Sequence, residues 1–289
     1  MNEPRPTLRN LLAGPRPVFA PLVLNTLMAR LAERAGFPAL YLGGGAMGYL
    51  TTFTEANLSL TEMAQAGLEI VSGTRLPLIL DGACGWGDPM HQHRTIALAE
   101  AAGFQAIEIE DQILPKRAHH HIGLEHIIPA EAMAAKVAEA VAVRRSRDFL
   151  IIARTNAVRT DNFEEALRRA ELYLRAGADL LFVLTREPEH LRRLHEKLGA
   201  ALMYMTPGGG LRAAGLRMDE LAGFGVKLVV DPSTPLLAMH RALRDSYAAL
   251  MAGATDPLVG GSIKAEHDQI HETIGLETLL SVERRTVER

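Results

Sequence analysis

AERAGFPALYLGG, residues 32–44, joins an Ala/Leu/Arg-rich segment to a glycine and then to a short apolar run, and the phrase recurs along the chain. It returns as AEAAGFQAIEIED at 99–111, LRAGADLLFVLT at 174–185 and LAGFGVKLVVD at 221–231. A helix ended by glycine in the left-handed conformation and followed at once by a buried strand accounts for it physically. Short apolar runs bounded by turn residues place eight strands near 17–20, 38–43, 76–81, 105–110, 149–154, 179–184, 201–205 and 226–230. Most of the intervals read as amphipathic helices, for example 60–71 and 131–143. Eight strands alternating with helices predict an α/β fold, a (β/α)8 TIM barrel, as one domain over residues 1–289 with a helical tail from about residue 238. An open doubly wound sheet is the alternative, but no G-x-G-x-x-G follows a first strand to make a dinucleotide site.

Composition narrows the function. Of 289 residues 48% are hydrophobic, enough for a large core, and 31 Lys and Arg against 34 Asp and Glu leave a net charge of −3. That balance offers no overall attraction to a nucleic-acid backbone. Apolar stretches such as 149–153 and 180–184 run to five residues and none exceeds six, whereas a bilayer needs roughly 18 to 20. No membrane partner is expected. The opening MNEPRPTLRN lacks the apolar core of a secretory signal, and the single cysteine, Cys84, excludes an intrachain disulfide. These features suit a reducing cytoplasm.

Chemistry in such barrels gathers at the C-terminal ends of the strands, and here those ends are polar. The third run closes on Asp81, the fourth on Glu110 and Asp111, and the fifth on Arg154, Thr155 and Asn156. The sixth closes on Thr185, the seventh on Thr206 and the eighth on Asp231, while the second runs into Gly43, Gly44 and Gly45. Carboxylates can hold a hard divalent cation through oxygen, and an arginine with free backbone N–H groups can hold a carboxylate. Each residue also has a plain structural use: Asp81 as a turn cap, Glu110 as the ion-pair partner of Arg154, the glycines as a tight turn. Their coincidence on one rim points to a site for a metal-chelated anionic substrate.

The segments LNTLMARLAERAGFPALYLGGGA, LPLILDGACGWGD, AIEIEDQILPKRAHH and LIIARTNAV occur in this order. Together they resemble the isocitrate lyase and phosphoenolpyruvate mutase superfamily over about residues 17 to 240. The resemblance implies barrels that exchange their last helix between neighbours as dimers of dimers, so a homotetramer is expected. It also implies Mg2+, or Mn2+ in its place, and the making or breaking of C–C or P–C bonds in small 2-oxo or 2-hydroxy acids, often through an enolate. On it, Asp81 and Glu110 would serve the metal, Arg154 would hold the substrate carboxylate, and the amides of Gly44, Gly45 and Ala46 would receive the same group. Asn156, beside Arg154, joins the substrate-binding candidates, and Glu62 of the LTEM segment is read as structural.

The departures are informative. Ala83 stands where the family's loop has a second Asp, and the Pro-Asp ahead of LTEM is missing, which leaves Glu55 of TFTEANLSLTEM as a stand-in metal ligand. Where the isocitrate and methylisocitrate lyases carry a Cys in K-[KR]-C-G-H, this chain reads KRAHHH with Ala118. Cys84 is read as a semi-buried thiol with no base beside it, rather than a nucleophile. Three adjacent histidines, His119, His120 and His121, point to different sides and make a poor metal cluster. Lys116, Arg117 and His119 are instead expected on a gating loop that closes over an anion and supplies a proton. The expected function is a Mg2+-dependent lyase or decarboxylase of a small 2-oxo or 2-hydroxy carboxylic acid acting through a metal-stabilised enolate. P–C chemistry on a phosphonopyruvate-like substrate, gripped by Lys116 and Arg117, is the second reading, and a barrel that binds a carboxylate without cleaving it is the third.

Overall fold

The computed structural model describes residues 5–288. Eight strands follow in order: β1 (Val18–Pro21), β2 (Leu40–Leu42), β3 (Leu78–Asp81), β4 (Ala106–Glu110), β5 (Leu150–Thr155), β6 (Leu180–Val183), β7 (Leu202–Met205) and β8 (Val226–Asp231). All neighbours pair in parallel, in the order β1-β8-β7-β6-β5-β4-β3-β2. A parallel bridge between Leu22 and Tyr41, with Val23 N donating to Tyr41 O at 2.9 Å, brings the two edges together and makes the barrel. The strands stand where the apolar runs predict them, to within two residues at most ends.

Helices α1 (Leu8–Leu12), α2 (Thr26–Arg34), α3 (Gly44–Thr51), α4 (Leu60–Gly73), α5 (Gln92–Ala101) and α6 (Ala130–Val143) precede β5. After it come α7 (Ala157–Thr160), α8 (Phe163–Arg175), α9 (Pro188–Leu198), α10 (Met218–Gly223), α11 (Thr234–Met251), α12 (Ile263–Ile274) and α13 (Leu276–Thr286). Their starts are locally encoded. Asn25 and Asn162 accept from Met28 N and Glu165 N at the heads of α2 and α8, and Ser59 with Glu62 forms a reciprocal cap on α4. Glu62 is thus structural, as read. The four glycines of the repeated phrase, Gly36, Gly103, Gly177 and Gly225, all have φ between 76° and 100°, the conformation that stops a helix and turns the chain into the next strand.

Two apolar layers result. Outward-facing strand residues such as Leu40, Leu80, Ile107 and Ile151 pack under the helices. Inward-facing ones, among them Ile79, Ala106, Ile152, Phe182, Met203 and Val230, fill the barrel, and Leu8 and Leu12 of α1 join them to close its N-terminal end. The opposite end is left to polar side chains. After β8 the chain enters α11, none of whose side chains is fully buried, although Leu236 and Met239 in its first turns still pack against the core.

Candidate active site

Strand alternation places the polar residues. Ile79 on β3, Ala106 on β4 and Ile152 on β5 point into the barrel, so Asp81, Glu108 with Glu110, and Arg154 lie on the same inward faces toward the C-terminal end. The register sets Asp81 beside Glu108, and Glu110 beside Arg154, which in turn pairs with Phe182. The Arg154 guanidinium lies over the Phe182 ring, 5.1 Å from its centroid.

Arg154 is the hub. Its Nη1 donates to Glu108 Oε1 at 2.8 Å, and its Nε lies 3.2 Å from both Glu110 Oε2 and Asn156 Oδ1. The remaining nitrogen, Nη2, has no protein partner among the described residues. Burial, opposed by Glu110 and Glu108, leaves the guanidinium firmly charged. Asn156 turns its amide to Glu110 Oε2 at 2.9 Å. Glu108 also accepts from the Tyr41 hydroxyl at 3.0 Å, and burial pushes its carboxyl up to about 7 against the pull of Arg154. Burial works in the same direction on Glu110, but Arg154 and Lys116 outweigh it and hold that carboxyl below its ordinary range. Asp81 is raised, by burial first and then by Glu55. The site therefore contains carboxyls pushed in opposite directions, a mark of functional sites as well as of buried ion networks.

Gly43 introduces α3, whose first amides face this cluster. Gly44 N donates to Asp81 Oδ2 at 2.9 Å, so that amide is already engaged, whereas the N–H groups of Gly45 and Ala46 have no protein partner among the described residues. A Cβ on Gly44 would lie 3.3 Å from both Asp81 Oδ2 and Glu55 Oε2, so glycine here keeps the two carboxylates close to the helix end. Glu55 arrives on a single 3-10 turn, Glu55–Asn57, that crosses α3 at Gly48. Its carboxylate meets Lys116 Nζ and, at 2.9 Å, His120 Nε2. Burial would raise it, but His120 and Lys116 bring it down to about 2.

The expected gating loop lies over this rim. Its base is zipped by an antiparallel bridge of Gln112 with Ile127 and by Ile113 N donating to His126 O at 2.8 Å. Lys116 turns inward, 6% exposed, with Nζ at Glu55 and 2.5 Å from Glu110 Oε1. Arg117 is exposed. His119 departs from the expectation: it pairs with His126 at 3.1 Å and faces away from the cluster. Its neighbour His120 is the inward histidine, because the 3-10 turn Ala118–Ile122 rotates successive side chains by about a third of a circle. With Nδ1 at Arg117 O and Nε2 at Glu55, both ring nitrogens of His120 face acceptors, the pattern of an imidazolium. His121 fastens the tip through Tyr49 OH at 2.9 Å and Thr54 Oγ1 at 2.6 Å.

Other strand-end residues hold the frame. Asp111 accepts from Thr155 Oγ1, Asn156 N, Arg169 Nη1 and Tyr173 OH, which fixes the β5 end. Asp231 caps α11 through Thr234 N at 2.8 Å, and Thr185 bonds His190. Cys84 is fully buried, not half-buried as read, and burial pushes its thiol far up. Ala83 adopts φ 45° and donates its N–H to Asp81 Oδ1 at 3.1 Å. Glu108 and Tyr41 escaped the sequence reading, and His120 was named only as one of the run of three histidines. The Glu-Ile-Glu alternation of β4 carried the signal for Glu108, since it places 108 and 110 on one face.

Asp81, Glu110 and Glu55 are buried oxygen donors of the kind that suits Mg2+. By donor chemistry they fit such an ion. As placed, Glu55 and Glu110 hold the Lys116 ammonium while Asp81 accepts from Gly44 N and Ala83 N, and among the described residues no three His, Cys, Asp or Glu side chains stand close enough to share an ion.

The family model of phosphoenolpyruvate phosphomutase matches residues 8–251. The chain is 33% identical to 2,3-dimethylmalate lyase of Eubacterium barkeri over 285 residues, 96% of each chain. It is 37% identical to 2-methylisocitrate lyase of Aeropyrum pernix over 259 residues, 88% of this chain and 82% of that one. The crystal structure of phosphonopyruvate hydrolase with oxalate and Mg2+ superposes with a TM-score of 0.82 at 28% identity, covering 97% of this chain and 98% of that one. The first two of these relatives are lyases by name. With the barrel, the strand-end carboxylates and the arginine in the family's order, the chain belongs to the phosphoenolpyruvate phosphomutase family.

Proposed function

We propose that the enzyme is a Mg2+-dependent lyase that breaks a C–C bond in a small 2-oxo or 2-hydroxy carboxylic acid. The observation that carries this reading is the convergence, on one buried rim, of three carboxylates with an arginine Nη2 and the amides of Gly45 and Ala46, which have no hydrogen-bond partner among the described residues. Asp81, Glu110 and Glu55 would hold Mg2+, or Mn2+ in its place, and the bound ion supplies Lewis-acid stabilisation of negative charge on oxygen. Arg154 Nη2 and the two amides bind the substrate's carboxylate, and Asn156 and Glu108 keep the guanidinium in place for it. Lys116 Nζ and His120 stand over the cluster as proton donors to the carbon left behind by cleavage. The loop that carries them covers the rim and excludes water. No thiol takes part: Ala118 holds the loop position where a family cysteine would stand, and Cys84 is sealed in the core. Arg117, exposed on the outer side, does not reach the cluster to help Lys116 grip a phosphonyl group.

We also propose that the working form is a homo-oligomer in which α11 serves a second copy. A groove of about 450 Å3 lies open beside β1, α2 and β8, lined by Phe19, Leu22, Met28, Leu31 and Phe37. A barrel ordinarily covers that position with the helix following its eighth strand. Here that helix projects away with Leu237, Leu243, Tyr247 and Leu250 exposed. A monomer in sedimentation would refute this assembly.

The activity test is pyruvate release, coupled to lactate dehydrogenase, from oxaloacetate, 2-methylisocitrate, 2,3-dimethylmalate and phosphonopyruvate, each with Mg2+ and with EDTA. EDTA-sensitive pyruvate from one of the first three supports the proposal. Release from phosphonopyruvate alone would transfer it to P–C chemistry, and silence with all four would favour a barrel that binds without cleaving.

A further inference from the structure

Lys136 lies where packing calls for an apolar residue. It shares the buried stripe of α6 with Ala130, Met133, Val137 and Ala140, is 2% exposed, and makes no ion pair among the described residues. Its Nζ has one hydrogen-bond partner there, the carbonyl of Cys84 at 3.0 Å. Burial pulls the ammonium below the ordinary lysine range. A methionine would fill the same space without the cost of burying a charge. What the ammonium supplies and an apolar side chain cannot is a long, strong donor aimed at Cys84.

Cys84 belongs to the turn that leaves β3, and that turn is held against its own preference. Ala83 and Trp86 have φ of 45° and 51°, the left-handed region that a Cβ disfavours. Three successive carbonyls of the turn each meet a buried donor. Glu110 N reaches Ala83 O at 2.8 Å, Lys136 Nζ reaches Cys84 O, and Gln92 Nε2 and Thr95 Oγ1 reach Gly85 O at 3.1 and 3.0 Å. Lys136 is the one charged donor of the set, and it alone ties the turn to α6. The other side of the turn meets the carboxylate strands. Gly82 N donates to Glu108 O at 2.8 Å, and Ala83 N donates to Asp81 Oδ1 at 3.1 Å. A return of Ala83 to negative φ rotates its flanking peptides, so the N–H that reaches Asp81 and the carbonyl that receives Glu110 N would turn away together.

We propose that Lys136 is a positioning residue: by gripping Cys84 O it keeps Ala83 in the left-handed conformation, and the turn so held fixes the side chain of Asp81 and the strand end that carries Glu110. Lys136 touches neither carboxylate and acts only through the backbone of the turn. The β3 and β4 ends are thereby tied to the helix that precedes β5, which carries Arg154, so the three strands that supply the cluster are set relative to one another.

The inference rests on the reading that Asp81 and Glu110 serve the reaction, and two measurements on the full-length protein separate the two. Steady-state kinetics compare the parent, Lys136→Met, Ala83→Gly and the double variant at a temperature where all are folded by circular dichroism. Lys136→Met keeps the packing and removes the donor, so kcat/KM should fall by about tenfold or more. Glycine takes the left-handed conformation without penalty, so Ala83→Gly in the Lys136→Met background should return kcat/KM to within about threefold of the parent. A role in stability alone would not be repaired by a glycine at that one position. Parental turnover in Lys136→Met, or a loss that the glycine leaves untouched, would overturn the proposal. Hydrogen exchange without substrate reads the turn itself. The amides of Gly82, Ala83, Gly85 and Glu110, all hydrogen-bonded within or to the turn, should exchange faster in Lys136→Met and slow again in the double variant. Unchanged exchange would also overturn it, whereas faster exchange in a protein whose parent cleaves none of the acids would remove the catalytic reading and leave the grip on the turn. If Lys136→Met does not fold, Lys136→Gln, whose amide stops short of Cys84 O, takes its place in both measurements.

Discussion

Gly48→Ala sets two well-understood effects against each other. In a helix interior alanine is favoured over glycine by about 1 kcal/mol, so propensity alone predicts a more stable protein. The structure predicts the reverse. A Cβ at position 48 would lie 2.2 Å from Glu55 N, 2.5 Å from Thr54 C and 2.8 Å from Glu55 Cα. All three are backbone atoms, so no rotamer change relieves the clash, and the segment must retreat by about 1 Å to recover ordinary contact. Overpacking of this kind costs about 1 to 3 kcal/mol, and the retreat also pulls the Glu55 carboxylate from Lys116 and His120. The net expectation is a loss of about 2 kcal/mol, a fall in Tm of about 3 °C for a chain of this size. Because Glu55 belongs to the proposed metal set, a displacement of about 1 Å should lower kcat/KM by about a hundredfold. Gly45→Ala is the internal comparison for stability: its Cβ would meet only Glu55 Oε2, at 3.9 Å, so it should melt no lower than the parent. Differential scanning fluorimetry and steady-state kinetics read both quantities. A Gly48→Ala protein that melts at or above the parent and retains turnover would refute the argument that the glycine exists to let the Glu55 turn cross α3.

The pH dependence of stability has a signed contribution from Glu108. Its carboxyl rises from an ordinary 4.5 to about 7, so the folded chain keeps a proton that the unfolded chain releases, and stability falls as pH climbs through that interval by on the order of 3 kcal/mol. Glu55, lowered to about 2, contributes fully above about 4.5 and loses its contribution only as pH falls toward 2, so the two windows do not overlap. Denaturant unfolding of Glu108→Gln should show a flatter profile between pH 4.5 and 7 than the parent, and an unchanged slope would contradict the assignment. The adjacent histidines separate by orientation: His120→Ala should cost about tenfold or more in kcat, while His119→Ala, which loses only its contact with His126, should stay within about twofold. Equal losses would mean that the loop tip works as a unit. Cys84→Ser should retain turnover, and the native thiol should resist a disulfide reagent at pH 8 while the unfolded one reacts, since Cys84 is fully buried with its thiol pushed up.

How much of this could be read from the chain depends on the kind of regularity each feature obeys. The strands and the glycine stops repeat with a period, and Gly36, Gly103, Gly177 and Gly225 adopt the conformation their repeated setting requires. Asp81, Glu110 and Arg154 were legible because a barrel fixes where a strand end must be. Glu108 obeys the same alternation and was within reach. Tyr41 was not, since its hydroxyl matters only through Glu108 on a strand two places along the sheet.

The loop has no such period, and that is where the reading stopped. KRAHHH announces cations near an anion site, but which histidine turns inward is decided by the phase of one short turn, and phase is set by contacts with Tyr49, Thr54 and Glu55 more than sixty residues earlier. The same holds for Lys116. Its type and position could be read, yet nothing in its neighbourhood says that it ends among Glu55 and Glu110 and not in solvent. Whether the rim is an ion site or a self-paired charge network is therefore not a property of the carboxylates, which are the same in both cases. It is a property of where one lysine is held, and that is decided by the contacts of the loop tip with Tyr49, Thr54 and Glu55.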